Sequence, residues 1–204
     1  MGKMDEMIIV APRKEVFDNE KLTFQGVNSD KYKVNEIMTN VESTYSIMRR
    51  GDAEENNDFK QPIPYCVLKR NDEVYSTKRL KGGGEARLHN QVSLGLGGHM
   101  NDFNSNNFSE VMFENLIREL DEEVLVNSDG VSFKTVGFIN DDSNEVGKVH
   151  LGLLVIGELD SNAEVTVKET DQLLGEWIKI TDLKKPEVYE TLETWSQFVA
   201  DILN

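Results

Sequence analysis

The residue types best suited to chemistry are gathered in residues 110 to 123, EVMFENLIRELDEE, which end on Glu119, Glu122 and Glu123. At 100° per residue these three glutamates fall within about 100° of one another, while Met112, Phe113, Leu116, Ile117, Leu120 and Val124 fill a neighbouring sector. The spacing predicts an amphipathic helix with one packed face and one anionic stripe. Three carboxylates on one stripe offer hard oxygen ligands to a divalent cation, with positions left for water and phosphate. Arg118 precedes the first of them and is placed to brace a carboxylate and hold it ionised.

These groups need elements to position them. Residues 7 to 11 read as a short strand, and Val34, Ile37, Met38, Val41, Tyr45 and Met48 recur at helical spacing, predicting a helix over 33 to 49. The polar, acidic stretch 51 to 58 reads as a loop. Apolar runs at 64 to 69 and 73 to 79 flank Asn71-Asp72 and predict a tight hairpin. A glycine-rich stretch, Lys81 to Arg87, then leads through His89 to an apolar strand ending in Gly97-Gly98-His99. Asn107 or Ser109 can open the acidic helix, and Asn107-x-x-Glu110 has capping-box spacing. Further strands are expected at 132 to 139, 148 to 157, 164 to 168 and 175 to 180, with a closing helix from Pro186 to Leu203. Residues 1 to 60 are expected to form an extension of strand, helix and acidic loop packed on a main domain of residues 61 to 204.

Composition narrows the partners. The 204 residues are 38% hydrophobic and 29% charged, ordinary for one globular domain with a sizeable core. A net charge of -15 argues against a binder of nucleic-acid backbones, and an anionic substrate would need local cations. Lys78, Arg79, Lys81 and Arg87 form such a cluster. Gly82 to Gly84 beside them lack the Gly-Lys-Ser/Thr ending of a P-loop and read as a turn. A single cysteine, Cys66, rules out a disulfide framework and reads as a buried strand residue. With no apolar run of about 18 residues, neither membrane nor nucleic acid is an expected partner, and a cytoplasmic protein is expected. His89 and His99 are candidates for phosphate binding, His150 is unassigned, and Trp177 and Trp195 read as packing residues, with base stacking the alternative for Trp177.

The run resembles the Nudix box, Gly-x5-Glu-x7-Arg-Glu-apolar-x-Glu-Glu-x-Gly-apolar. Glu110, Arg118, Glu119, Leu120, Glu122, Glu123 and Val126 match, whereas the pattern's glycines fall on Asn104 and Leu125. Gly97-Gly98 before a lengthened loop can supply the first glycine's part. Without the second, the helix is expected to run slightly further, with Asn127 or Gly130 taking a left-handed conformation. The surroundings are similar to those of bacterial MutT-type proteins described as phosphoesterases, in residues 83 to 89 (GGEARLH) and 97 to 99 (GGH).

The resemblance implies an α/β fold, a Nudix-type α/β/α sandwich with a mixed β-sheet between helices. It implies a hydrolase that cleaves a pyrophosphate bond in a nucleoside diphosphate linked to another moiety, using Mg²⁺ or Mn²⁺. Glu119, Glu122 and Glu123 would hold the metal, joined by a main-chain carbonyl at Gly97 or Gly98, and one glutamate would act as base. Glu169 or Glu176 would be the further acidic ligand. Arg79, Arg87, His89 and His99 would face a small phosphorylated, nucleotide-like substrate, and a homodimer is allowed. The rival is a non-catalytic Nudix domain that binds a nucleotide-like ligand as a sensor. An isomerase of the isopentenyl diphosphate kind shares the fold but needs a catalytic cysteine, and Cys66 lies in a different segment.

Overall fold

The structure, a computed structural model, describes residues 2–80, 91–103, 107–171 and 173–204. The chain begins with β1 (Met7–Pro12), α1 (Arg13–Val16), β2 (Gly26–Asn28), α2 (Lys31–Thr44), β3 (Ser46–Arg49) and α3 (Arg50–Ala53). Next come β4 (Phe59–Arg70), β5 (Glu73–Arg79), β6 (Val92–Ser93), α4 (Phe108–Glu123), β7 (Val124–Asn127) and β8 (Val131–Asn140). The chain closes with α5 (Glu145–Val149), β9 (His150–Leu159), β10 (Glu164–Val167), β11 (Leu173–Lys179), α6 (Pro186–Tyr189) and α7 (Thr194–Ile202). Among the described residues nine strands form one sheet, with the order β11-β5-β4-β9-β8-β2 along its main path, and β7 and β10 form a second. The expected α/β class, with a large sheet and helices, is what the chain adopts.

Two compact units share the chain. The first comprises Met1–Pro64, Gly98–Ile117 and Val136–Leu154, and the second Tyr65–Gly97, Arg118–Thr135 and Val155–Asn204. In the first, β1 runs antiparallel to β3, with Met7 opposite Arg49 and Val10 opposite Ser46. Its far end pairs with β4 at Ala11 and Lys60. Ile8, Ile9, Val10, Ile37 and Ala53 are fully shielded from solvent, consistent with their apolar types. In the second unit β4 and β5 form the expected hairpin, with Arg70 opposite Glu73 and Asn71 in the left-handed region at φ 48°. Leu173 to Lys179 of β11 pair along β5 from Arg79 to Glu73.

Four sequence expectations change. The helix predicted over 33 to 49 spans Lys31–Thr44, capped by Asp30, whose side chain accepts from the Lys33 amide at 3.0 Å. Residues 46 to 49 instead satisfy their backbone groups on β1, which overrides a helical apolar pattern. Residues 50 to 53, expected in or beside a loop, make the short helix α3. The acidic helix stops at Glu123 and passes directly into β7, where Val124 pairs with Val167 and the Glu123 carbonyl accepts from the Lys168 amide. Neither Asn127 nor Gly130 has a positive φ, because the new strand rather than a left-handed residue satisfies the helix end. The single closing helix is two, α6 and α7. The chain between them turns to pair with β6: the Val92 amide donates to the Thr191 carbonyl and the Glu193 amide to that of Val92.

Candidate functional site

The residues of α4 separate cleanly by face. Phe108, Val111, Asn115, Leu116, Glu119 and Leu120 are buried, a 3- and 4-residue repeat, whereas Phe113, expected on the packed face, is 49% exposed. Val111 takes the inward place. Asn115 belongs to the same buried row and is fully paired, donating to the carbonyls of Val111 and Asn101 and accepting from the Asn101 amide at 2.9 Å. Glu119 follows one turn later in that row, which is why a carboxylate so near the helix end is only 9% exposed. The Asn107 side chain accepts from the Ser109 amide at the opening turn, as capping predicts.

Arg118 brackets two of the glutamates, with Nη2 2.7 Å from Glu119 Oε1 and Nη1 3.0 Å from Glu122 Oε1. Burial works against its charge, and the two carboxylates outweigh that, holding the guanidinium above its ordinary value. Glu123 is in the opposite situation. Burial of its carboxyl, reinforced by the charge of Glu119 and to a lesser extent Glu122 and Glu169, pushes it up to about 8, and Arg79 works against that rise. Four carboxylates and two arginines therefore act on a common region in the second unit. Of the two acidic residues offered as a further ligand, Glu169 acts on Glu123; Glu176 lies on β11 and is exposed.

Arg79, whose charge acts on Glu123, is exposed at the end of β5, opposite Leu173. Gly98 is partly buried in the segment after Leu96, whose amide and carbonyl bridge to Cys66. Arg87 and His89, with Gly82 to Gly84 and Lys81, lie outside the described residues. Trp177 packs edge-on against Tyr75 and carries the Arg70 guanidinium 4.1 Å over its ring. Cys66 is buried in β4, and burial pushes its thiol up to about 12.

His99 has partners that no sequence pattern indicated. Its Nε2 lies 2.7 Å from Gln61 Oε1, 3.2 Å from His150 Nε2 and 3.4 Å from Glu54 Oε1. Burial pushes His150 down to about 4, so its imidazole is neutral at physiological pH. Glu54 is held below the usual carboxylate value, first by its hydrogen bond with His99. Glu54 went unremarked in the sequence because it sits in an acidic stretch where every residue looks like surface.

No family model matches the chain. Protein YmaB of Bacillus subtilis (strain 168) is 57% identical over 205 residues, spanning all of both chains. Among solved structures, Tm1382, described as a candidate Nudix hydrolase, superposes with a TM-score of 0.78 at 30% identity, covering 97% of each chain. The chain belongs to the Nudix superfamily. A MutT Nudix hydrolase from Burkholderia pseudomallei superposes with a TM-score of 0.49 at 15% identity, over 71% of this chain and 98% of that one. By the likeness to Tm1382 the Nudix box stands in a Nudix fold, and Leu125, at the pattern's second glycine position, lies in β7, while Asn104, at the first, lies outside the described residues. Among the described residues no helix is long and apolar enough to cross a membrane.

Proposed function

We propose that the chain hydrolyses a pyrophosphate bond in a nucleoside diphosphate linked to another moiety, with Mg²⁺ or Mn²⁺ held by Glu119, Glu122 and Glu123. The observation that carries this reading is the pairing of Arg118 with Glu119 at 2.7 Å and with Glu122 at 3.0 Å, on the helix that also carries Glu123. A set of hard oxygen donors whose charges repel one another fits a small divalent cation, which would relieve the repulsion. When bound, such a cation neutralises phosphate charge and lowers the pKa of water.

The chain's own groups divide the remaining work. Arg118 fixes the rotamers of Glu119 and Glu122, and one of the three glutamates takes the proton of the attacking water. The water oxygen forms a bond to phosphorus as the bond to the bridging oxygen breaks. Arg79, whose charge already reaches Glu123, is assigned to the phosphate that leaves, with Arg87 and His89 as its companions. The family membership and the likeness to Tm1382 support this reading.

A panel of nucleoside triphosphates, dinucleoside polyphosphates, ADP-ribose and sugar nucleotides, assayed with Mg²⁺ and Mn²⁺, tests it. Metal-dependent turnover of a diphosphate is expected, slowed about a hundredfold in Glu122→Gln and Glu123→Gln. Tight binding without turnover would instead favour the sensor.

A further inference from the structure

We propose that Glu54, His99 and His150 form a site for a borderline divalent transition ion of the zinc class, sharing no residue with the carboxylates of α4. Among the described residues, these three offer ligand atoms that all lie within 4.8 Å of one another. The triangle has edges of 3.2 Å between the imidazole Nε2 atoms, 3.4 Å from His99 to Glu54 and 3.9 Å from His150 to Glu54. A tetrahedral centre with bonds of about 2.0–2.1 Å separates its ligand atoms by about 3.3 Å, so little movement is required.

The surroundings hold the triangle in place. His150 Nδ1 lies 2.7 Å from the Val146 carbonyl and donates its proton there, which leaves Nε2 as a bare lone pair aimed at His99. An imidazole anchored through one nitrogen to a carbonyl is the arrangement that orients metal-binding histidines. Gln61 borders the triangle: it is fully buried, and its Oε1 lies 2.7 Å from His99 Nε2. Its carboxamide oxygen stands beside the triangle as a further donor.

Two imidazoles and one carboxylate select Zn²⁺, Co²⁺ or Ni²⁺ over Mg²⁺, which prefers oxygen alone. The side chains are 24%, 11% and 10% exposed for Glu54, His99 and His150, desolvated but within reach of solvent. The ligands come from the residue after α3, the segment before α4 and the first residue of β9, all in the first unit. A bound ion would tie these three segments together and raise thermal stability.

The test is a Co²⁺ titration of the full chain after chelation, followed by visible absorption. With excess Mg²⁺ present to occupy the carboxylates of α4, one saturable equivalent is expected, displaced by Zn²⁺ and retained in the Glu122→Gln/Glu123→Gln double variant. Affinity should fall at least about tenfold in Glu54→Gln and in His99→Gln. Zn²⁺ should raise Tm in the parent and not in Glu54→Gln, a near-isosteric change at a half-buried position whose folding circular dichroism can check. Absence of a saturable spectrum, its survival in both variants, or its loss in the Glu122→Gln/Glu123→Gln variant would overturn the proposal. None of these readouts depends on turnover, so failure here leaves the proposed hydrolysis standing.

Discussion

Arg118 and Glu119, neighbours in sequence on α4, face each other at 2.7 Å from Nη2 to Oε1, and the same guanidinium reaches Glu122 at 3.0 Å from Nη1. One arginine thereby fixes two carboxylates. Arg118→Ala should slow turnover about 10- to 100-fold with a matching loss of Mg²⁺ affinity, since each carboxylate loses the group that orients it. Arg118→Lys should recover only part of this, because an ammonium is a point charge without a fork. Steady-state rates at several Mg²⁺ concentrations check both, and an unaltered rate in the alanine variant would remove Arg118 from the site.

Glu123 opposes stability and function. Folding at pH 7 requires Glu123 to take up a proton that the unfolded chain does not hold, so Glu123→Gln should stabilise the metal-free protein at that pH by roughly 1–2 kcal/mol, while abolishing most turnover. Urea unfolding in the presence of a chelator measures the first effect. A variant that is less stable than the parent would mean that the carboxylates do not repel one another.

Lys60 is fully buried and donates to Asp142 at 3.1 Å and to the Gly147 carbonyl at 3.0 Å, while Arg13 adds a second bond to Asp142 at 2.8 Å. Burial pushes the Asp142 carboxyl up, but Arg13, Asn140 and Lys60 together outweigh that and hold it well below the usual carboxylate range. A carboxylate depressed in the folded state contributes stability that is complete above its unfolded pKa of about 3.9 and is lost as pH falls below it. Asp142→Asn should therefore cost about 3 kcal/mol at neutral pH, by leaving Lys60 buried without its counter-charge, and should flatten the acid limb of the stability curve. Denaturant titrations between pH 2 and pH 7 give both quantities; an acid limb identical to the parent's would exclude Asp142 as its source.

Cys66 should be chemically quiet. Burial pushes its thiol up to about 12 and covers the sulfur, so reaction with a disulfide reagent should await unfolding and accelerate many-fold in denaturant. Rapid labelling of the native protein would contradict the packing of β4.

By itself the sequence determined how the carboxylates are placed on α4. Spacing within one helix is local geometry, so residues 118 to 123 place their carboxylates on a stripe wherever the helix docks, and the Asn71-Asp72 hairpin follows equally from local backbone preference. The box pattern also carried the family, with the α/β fold that the chain adopts. Tertiary structure decided the rest. Tyr45 and Met48 continue a helical pattern, yet only pairing of Ser46 to Arg49 with β1 shows where α2 must stop. The site outside the box lies further from local rules. His99 and His150 are 51 positions apart, with Glu54 earlier still, and no periodicity relates them. The folded chain brings them within 4.8 Å because α3, the segment before α4 and β9 belong to one compact unit.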